Sequence, residues 1–146
     1  MKKSQRLQPV LQLAARKKQQ AEQQLGQARQ QLQAEQQKLI QLEAYREEYQ
    51  QSILGLGRGG TQIEQLRRMQ AFLARLSEAI DQQGQQIVMA EQVVAQATKA
   101  WQVAHGRHQA MDSLIERSRD AEQRQEDKQF QKTIDELSQN RRSRDT

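Results

Sequence analysis

Residues 55–61 read Gly55-Leu56-Gly57-Arg58-Gly59-Gly60-Thr61, and this short stretch decides how the rest of the chain is read. Each glycine costs a helix about 1 kcal/mol relative to alanine, while glycine supplies the positive φ angles that a chain reversal needs. Thr61 with Glu64 three residues on is a capping box, which places the start of a second helix at about residue 62. The stretch is therefore expected to be a loop, residues 55–61, between two helices.

Working outward from the loop, the apolar residues on both sides keep heptad spacing. Upstream, positions 7, 11, 14, 18 and onward to 56 read Leu7, Leu11, Ala14, Lys18, Ala21, Leu25, Ala28, Leu32, Glu35, Leu39, Leu42, Arg46, Tyr49, Ile53 and Leu56. Twelve of these 15 are apolar, where the chain average of 35% would give about five. Downstream the series is Leu66, Met69, Leu73, Leu76, Ile80, Gln83, Ile87, Ala90, Val94, Ala97, Trp101, Ala104, His108, Met111, Ile115 and Ser118, with 13 of 16 apolar. Two such seams joined by a glycine loop predict an all-α fold, a long two-helix antiparallel coiled-coil hairpin.

Folding back at Gly59 fixes the register. Facing positions then pair Ala21 with Ala97, Ala28 with Ala90, Glu35 with Gln83, Leu42 with Leu76 and Tyr49 with Met69, so that small meets small and polar meets polar. Leu25 with Val94, Leu32 with Ile87 and Leu39 with Ile80 fill the alternate layers. The Glu35–Gln83 layer is the device that selects one register, as polar core positions do. The expected organisation is one coiled-coil domain, 1–146. Helix 1 covers about 8–54, with Pro9 in its first turn. Helix 2 runs from about 62 to 117, with a helical or flexible extension to 146. Residues beyond about 115 are expected to overhang the first helix, carrying a short apolar stripe of Phe130, Ile134 and Leu137 that is out of phase with the seam.

Composition sets the outer limits. With 28% charged and 3% aromatic residues and a mean hydropathy of −1.04, the chain has too little apolar content for a globular interior. Glutamine, alanine, leucine, arginine and glutamate dominate, and all are good helix formers, which suits a single narrow seam. There is no cysteine, which excludes disulfides and thiolate metal sites. No apolar run approaches the ~18–20 residues that span a bilayer, and no apolar stretch follows Lys2 and Lys3 to make a signal peptide, so a cytoplasmic protein is expected. The net charge of +5 is concentrated in residues 1–20, where Lys2, Lys3, Arg6, Arg16, Lys17 and Lys18 have no acid among them.

Nothing in the pattern predicts catalysis, a cofactor or a metal. The run from Gly55 to Gly60 lacks the lysine of a phosphate loop and joins helices instead of following a strand. His105 and His108 have no acid or cysteine to complete a metal site. A paired helix hairpin offers no water-excluding pocket for a reaction, so the expectation is a protein that is not an enzyme and works by binding other proteins. The informative surface lies beside the seam. Phe72, Leu76, Ala79 and Gln83 form one i, i+4, i+7, i+11 stripe, with Phe72 and Ala79 at the flanking g position.

At this stripe the chain resembles the flagellar export protein FliJ family. The likeness is carried by Met69-Gln-Ala-Phe72-Leu-Ala-Arg-Leu76-Ser-Glu-Ala79-Ile80-Asp-Gln-Gln83, by Tyr45-Arg-Glu-Glu-Tyr49 and by Lys99-Ala-Trp101. The C-terminal Lys132-Thr-Ile-Asp135-Glu136-Leu-Ser-Gln-Asn-Arg141 belongs to it too. Each motif is common in coiled coils; their joint order over nearly the whole chain is the signal. One departure is Gln83, where some members carry histidine. The resemblance implies a non-catalytic stalk of the bacterial flagellar type III protein-export apparatus, serving flagellum biogenesis and hence motility and chemotaxis. The implied partners are the export ATPase hexamer, the cytoplasmic domain of the membrane export gate and the export chaperones, with no nucleic acid. The implied place is the cytoplasm, peripheral to the inner membrane, and the implied export-gate contact is Phe72, Leu76, Ala79 and Gln83. The same pattern also fits the equivalent stalk of a virulence-type secretion system, or a nucleic-acid-binding coiled-coil arm.

Overall fold

Two helices account for the described structure, a computed structural model covering residues 1–57 and 62–145. Helix α1 spans Lys3–Gly57, 55 residues, and α2 spans Ile63–Arg144, 82 residues. They pack against each other as an antiparallel hairpin. Arg58–Thr61, which include the predicted reversal at Gly59 and the Thr61 half of the capping box, lie outside the described residues. Glu64 sits in the first turn of α2, and Arg141, Arg142 and Arg144 in its last turn, each sign complementing the helix dipole at its end.

Helix α1 differs from its predicted bounds at both ends. It begins at Lys3, not near residue 8, so Pro9 lies within the helix and not in its first turn. A proline there removes one backbone hydrogen bond and strains the preceding turn, at about 3 kcal/mol. The turn ahead of it persists because it is held from two sides. Gln5 N and Arg6 N donate to the carbonyl of Lys2, both at 3.1 Å, and the N–H and hydroxyl of Ser4 donate to the Glu122 carboxylate of α2. At the other end the helix continues through Gly55 to Gly57, three residues beyond the predicted stop at 54.

The hairpin comprises two compact units, residues Ala21–Trp101 and residues Met1–Gln20 with Gln102–Thr146. In the first, the core is a single seam in which Ala21, Leu25, Ala28, Glu35, Leu76, Ile80 and Ala90 are buried, and the remaining seam positions are half-buried. The predicted Glu35–Gln83 layer is formed: Gln83 Nε2 donates to the Glu35 carboxylate and, at 2.9 Å, to the Glu35 carbonyl oxygen. Gln31 Nε2 donates to the same carboxylate at 2.9 Å, and Lys38 lies 3.7 Å from it. A carboxylate that is only 8% exposed is thereby supplied with donors, which burial requires.

In the second unit, Ile115 is 1% exposed, the most deeply buried large side chain described, and Ser4 is buried as well. Both continue the heptad series, since Ser4 falls three residues before Leu7 and the seam arithmetic sets it opposite Ile115. Pairing reaches further than the predicted limit near residue 115, through the Ser4–Glu122 bonds to an exposed ion pair between Lys2 and Glu126. The reason is the early start of α1, which adds more than a turn of partner. Residues 123–145 are exposed throughout. Their helix is supported by a side-chain bond one turn apart, Gln123 to Asp127 at 3.1 Å.

Candidate functional site

The predicted stripe on α2 divides into two kinds of residue. Leu76 is buried in the seam and Ala79 and Gln83 are half-buried. The amide of Gln83 is engaged by Glu35, so its polar end is turned toward α1. Phe72 is different: it is 45% exposed. Its ring lies 4.6 Å from that of Tyr49, centroid to centroid, tilted by 40°. Aromatic pairs in this geometry contribute about 0.5–1.5 kcal/mol beyond the area they cover. Tyr49 is a seam residue, predicted to face Met69, and its ring also reaches one turn along to support Phe72. Heptad spacing names facing layers and is blind to such diagonal contacts, which is why the pair was not legible in the sequence. What the stripe presents is one large, partly exposed apolar side chain, Phe72, resting on the ring of Tyr49.

A second polar cluster joins the start of α1 to α2. In residues 1–20 with 102–145, the Ser4 hydroxyl donates to Glu122 at 2.7 Å and the Ser4 N–H at 3.0 Å. The carboxylate thus satisfies an N-terminal N–H of α1, which has no acid in its own first turn; it is a helix cap supplied by the opposite helix. These two hydrogen bonds, the backbone one foremost, hold the Glu122 carboxyl below its usual range. Beside it, the hydrogen bond and the negative charge of Glu126 raise the Lys2 ammonium above its usual value. The facing arithmetic sets Ser4 opposite Ile115 and leaves Glu122, seven residues further along α2, without a counterpart, so spacing does not name this pair.

Among the described residues no group of three or more His, Cys, Asp or Glu side chains is arranged to hold a metal ion. No described helix is long and apolar enough to cross a membrane. Near the middle of α1 and α2 the seam flank is polar but uncharged, with Gln24, Gln27, Gln31 and Gln96 around Val93 and Ala100.

No curated protein and no solved structure matches the chain. The family model described as the flagellar FliJ protein matches residues 2–146, which spans both helices and takes in the stripe at Phe72 as well as the C-terminal stretch through Arg141. A match over that span, on a two-helix hairpin of the predicted register, accounts for the motifs jointly. The chain belongs to the flagellar FliJ protein family, whose members are non-catalytic components of the flagellar type III export apparatus.

Proposed function

We propose that this export component is the stalk of the export ATPase ring, that it couples the ring to the membrane export gate, and that it hands on export chaperones. On this reading it acts in the cytoplasm, peripheral to the inner membrane, and Phe72, Leu76, Ala79 and Gln83 form its contact with the cytoplasmic domain of the gate. The single observation that supports the contact is Phe72, a large apolar side chain 45% exposed and propped on Tyr49 beside an otherwise covered seam. Exposed aromatic anchors on a firm base are typical of binding hot spots. Leu76 and Gln83 contribute by fixing the helix under Phe72 and Ala79, since both are part of the seam.

The test separates binding from folding. Phe72→Ala is expected to lower stability by roughly 1 kcal/mol, because the side chain is already half in water. The same change is expected to weaken binding to the isolated cytoplasmic domain of the gate by about 2 kcal/mol, near thirtyfold. Leu73→Ala, a seam truncation, should do the reverse. A Phe72→Ala protein that melts early yet binds the gate normally would make Phe72 a core residue and remove the basis of the proposed contact.

A further inference from the structure

The C-terminal part of α2 carries a seam with nothing on it. The hairpin seam stops at Glu122; its next positions would be Gln125, Gln129, Lys132 and Glu136, all polar. A different 3-4-3-4 series starts just beyond: Asp127, Phe130, Ile134, Leu137 and Arg141. Its three apolar members are 68%, 39% and 64% exposed, on a helix that continues unbroken to Arg144. A helix stretch of this length is marginal in water unless an apolar face is covered.

The order of charges along this series identifies what covers it. We infer that residues 127–141 are a homotypic docking surface on which a second copy of the chain pairs antiparallel. In an antiparallel pair centred on Ile134, alternate layers obey the same arithmetic as the hairpin itself. Asp127 then faces Arg141, Phe130 faces Leu137, Ile134 faces Ile134, and the two outer layers repeat in reverse. Each copy thus closes its three-residue apolar stripe with a salt bridge at both ends, a self-complementary, isologous arrangement. The positions flanking the stripe between its ends, Gln131, Thr133, Ser138 and Asn140, are all uncharged, so no like charges meet beside it. A parallel pair in register would set Asp127 on Asp127 and Arg141 on Arg141, which disfavours that alternative. About four turns of helix per copy make a contact at the small end of specific interfaces. The resulting dimer is a weak, concentration-dependent one.

Sedimentation equilibrium of the full chain tests this, with helicity monitored by circular dichroism. The apparent mass is expected to rise from that of the 17.0 kDa monomer toward twice that value between micromolar and several hundred micromolar protein. Ile134→Asp places two carboxylates face to face in the central layer and is expected to weaken the dimer at least tenfold. Because residues 123–145 are exposed and outside the hairpin seam, it should leave the thermal melt of the monomer unchanged. Asp127→Arg alone should weaken association, and adding Arg141→Asp should restore it, a rescue that only the antiparallel pairing allows. A monomer at every concentration would overturn the inference and leave the stripe to a different protein. A dimer indifferent to Ile134→Asp, or one not rescued by the charge exchange, would equally overturn it.

Discussion

Consider replacing Gln83 by leucine. In the structure its amide donates to both the carboxylate and the carbonyl oxygen of Glu35. The substitution removes both bonds at once and lays an apolar side chain against a carboxylate that is 8% exposed. Glu35 keeps Gln31 at 2.9 Å and the looser Lys38 at 3.7 Å, so the charge is not wholly abandoned. Leaving a buried acceptor short of a donor costs about 1–3 kcal/mol, and the remaining Gln31 bond puts the expectation near the middle, about 2 kcal/mol. Glu35→Leu takes the carboxylate from the amides of Gln83 and Gln31, but Gln83 keeps the backbone carbonyl oxygen of position 35 and the exposed Gln31 can turn to water, so its cost should be about 1 kcal/mol or less. The double leucine variant makes an apolar layer with no polar group to satisfy and should be as stable as the parent or more so.

The assay is urea unfolding of all four proteins, followed by helicity and analysed as a double-mutant cycle. The two single changes should therefore sum to a loss that the double variant does not show, a coupling of about 2 kcal/mol or more. What the double variant should lose is selectivity. With cysteines at Ala28 and at either Ala90 or Ala97, one heptad apart, the parent is expected to cross-link only 28 to 90. The double leucine background should admit some 28 to 97. If Gln83→Leu alone stabilised the protein as much as the double change, the hydrogen bonds to Glu35 would not be what the layer depends on. The Glu35–Gln83 layer would then not be what selects the register.

Three further outcomes follow from the geometry. Cysteines at Ala21 and Ala97 should form an intrachain disulfide under mild oxidation, and a gel showing only intermolecular products would refute the alanine layer. The Glu122 carboxyl titrates lower in the fold than its ordinary 4.5, so the clasp on Ser4 is complete above pH 4.5 and is lost as pH falls through the depressed value; the Ser4 amide resonance should shift with a midpoint below 4.5, and in Glu122→Gln it should not move. Gly106 lies within α2 with nothing within 4 Å of where a Cβ would stand, so Gly106→Ala should raise stability by about 1 kcal/mol, and a lower melting point would mean that the site is not the open helix surface described.

The sequence determined the seam so completely because a coiled coil writes its contacts in a single periodicity. Every position in the two series, from Leu7 to Leu56 and from Leu66 to Ser118, is buried or half-buried, Lys18, Glu35, Arg46 and Gln83 included. What stayed hidden had a different physical origin in each case. The early start of α1 depends on Glu122, more than a hundred residues away in the chain, whose carboxylate satisfies a backbone donor; local helix signals around Pro9 pointed to a later start because they record only what neighbours in sequence can do. The support of Phe72 by Tyr49 is a diagonal contact between a flank and a seam position, which facing-layer arithmetic does not count. The split within the stripe follows from the same limitation. Phe72, Leu76, Ala79 and Gln83 are equivalent as spacing, yet Leu76 is buried, Gln83 is bonded to Glu35, and Phe72 alone leaves a large apolar surface in water. Periodicity says which face a residue is on. How much of that residue remains for a partner depends on what the opposite helix already does with it, and that is a property of the pair of helices.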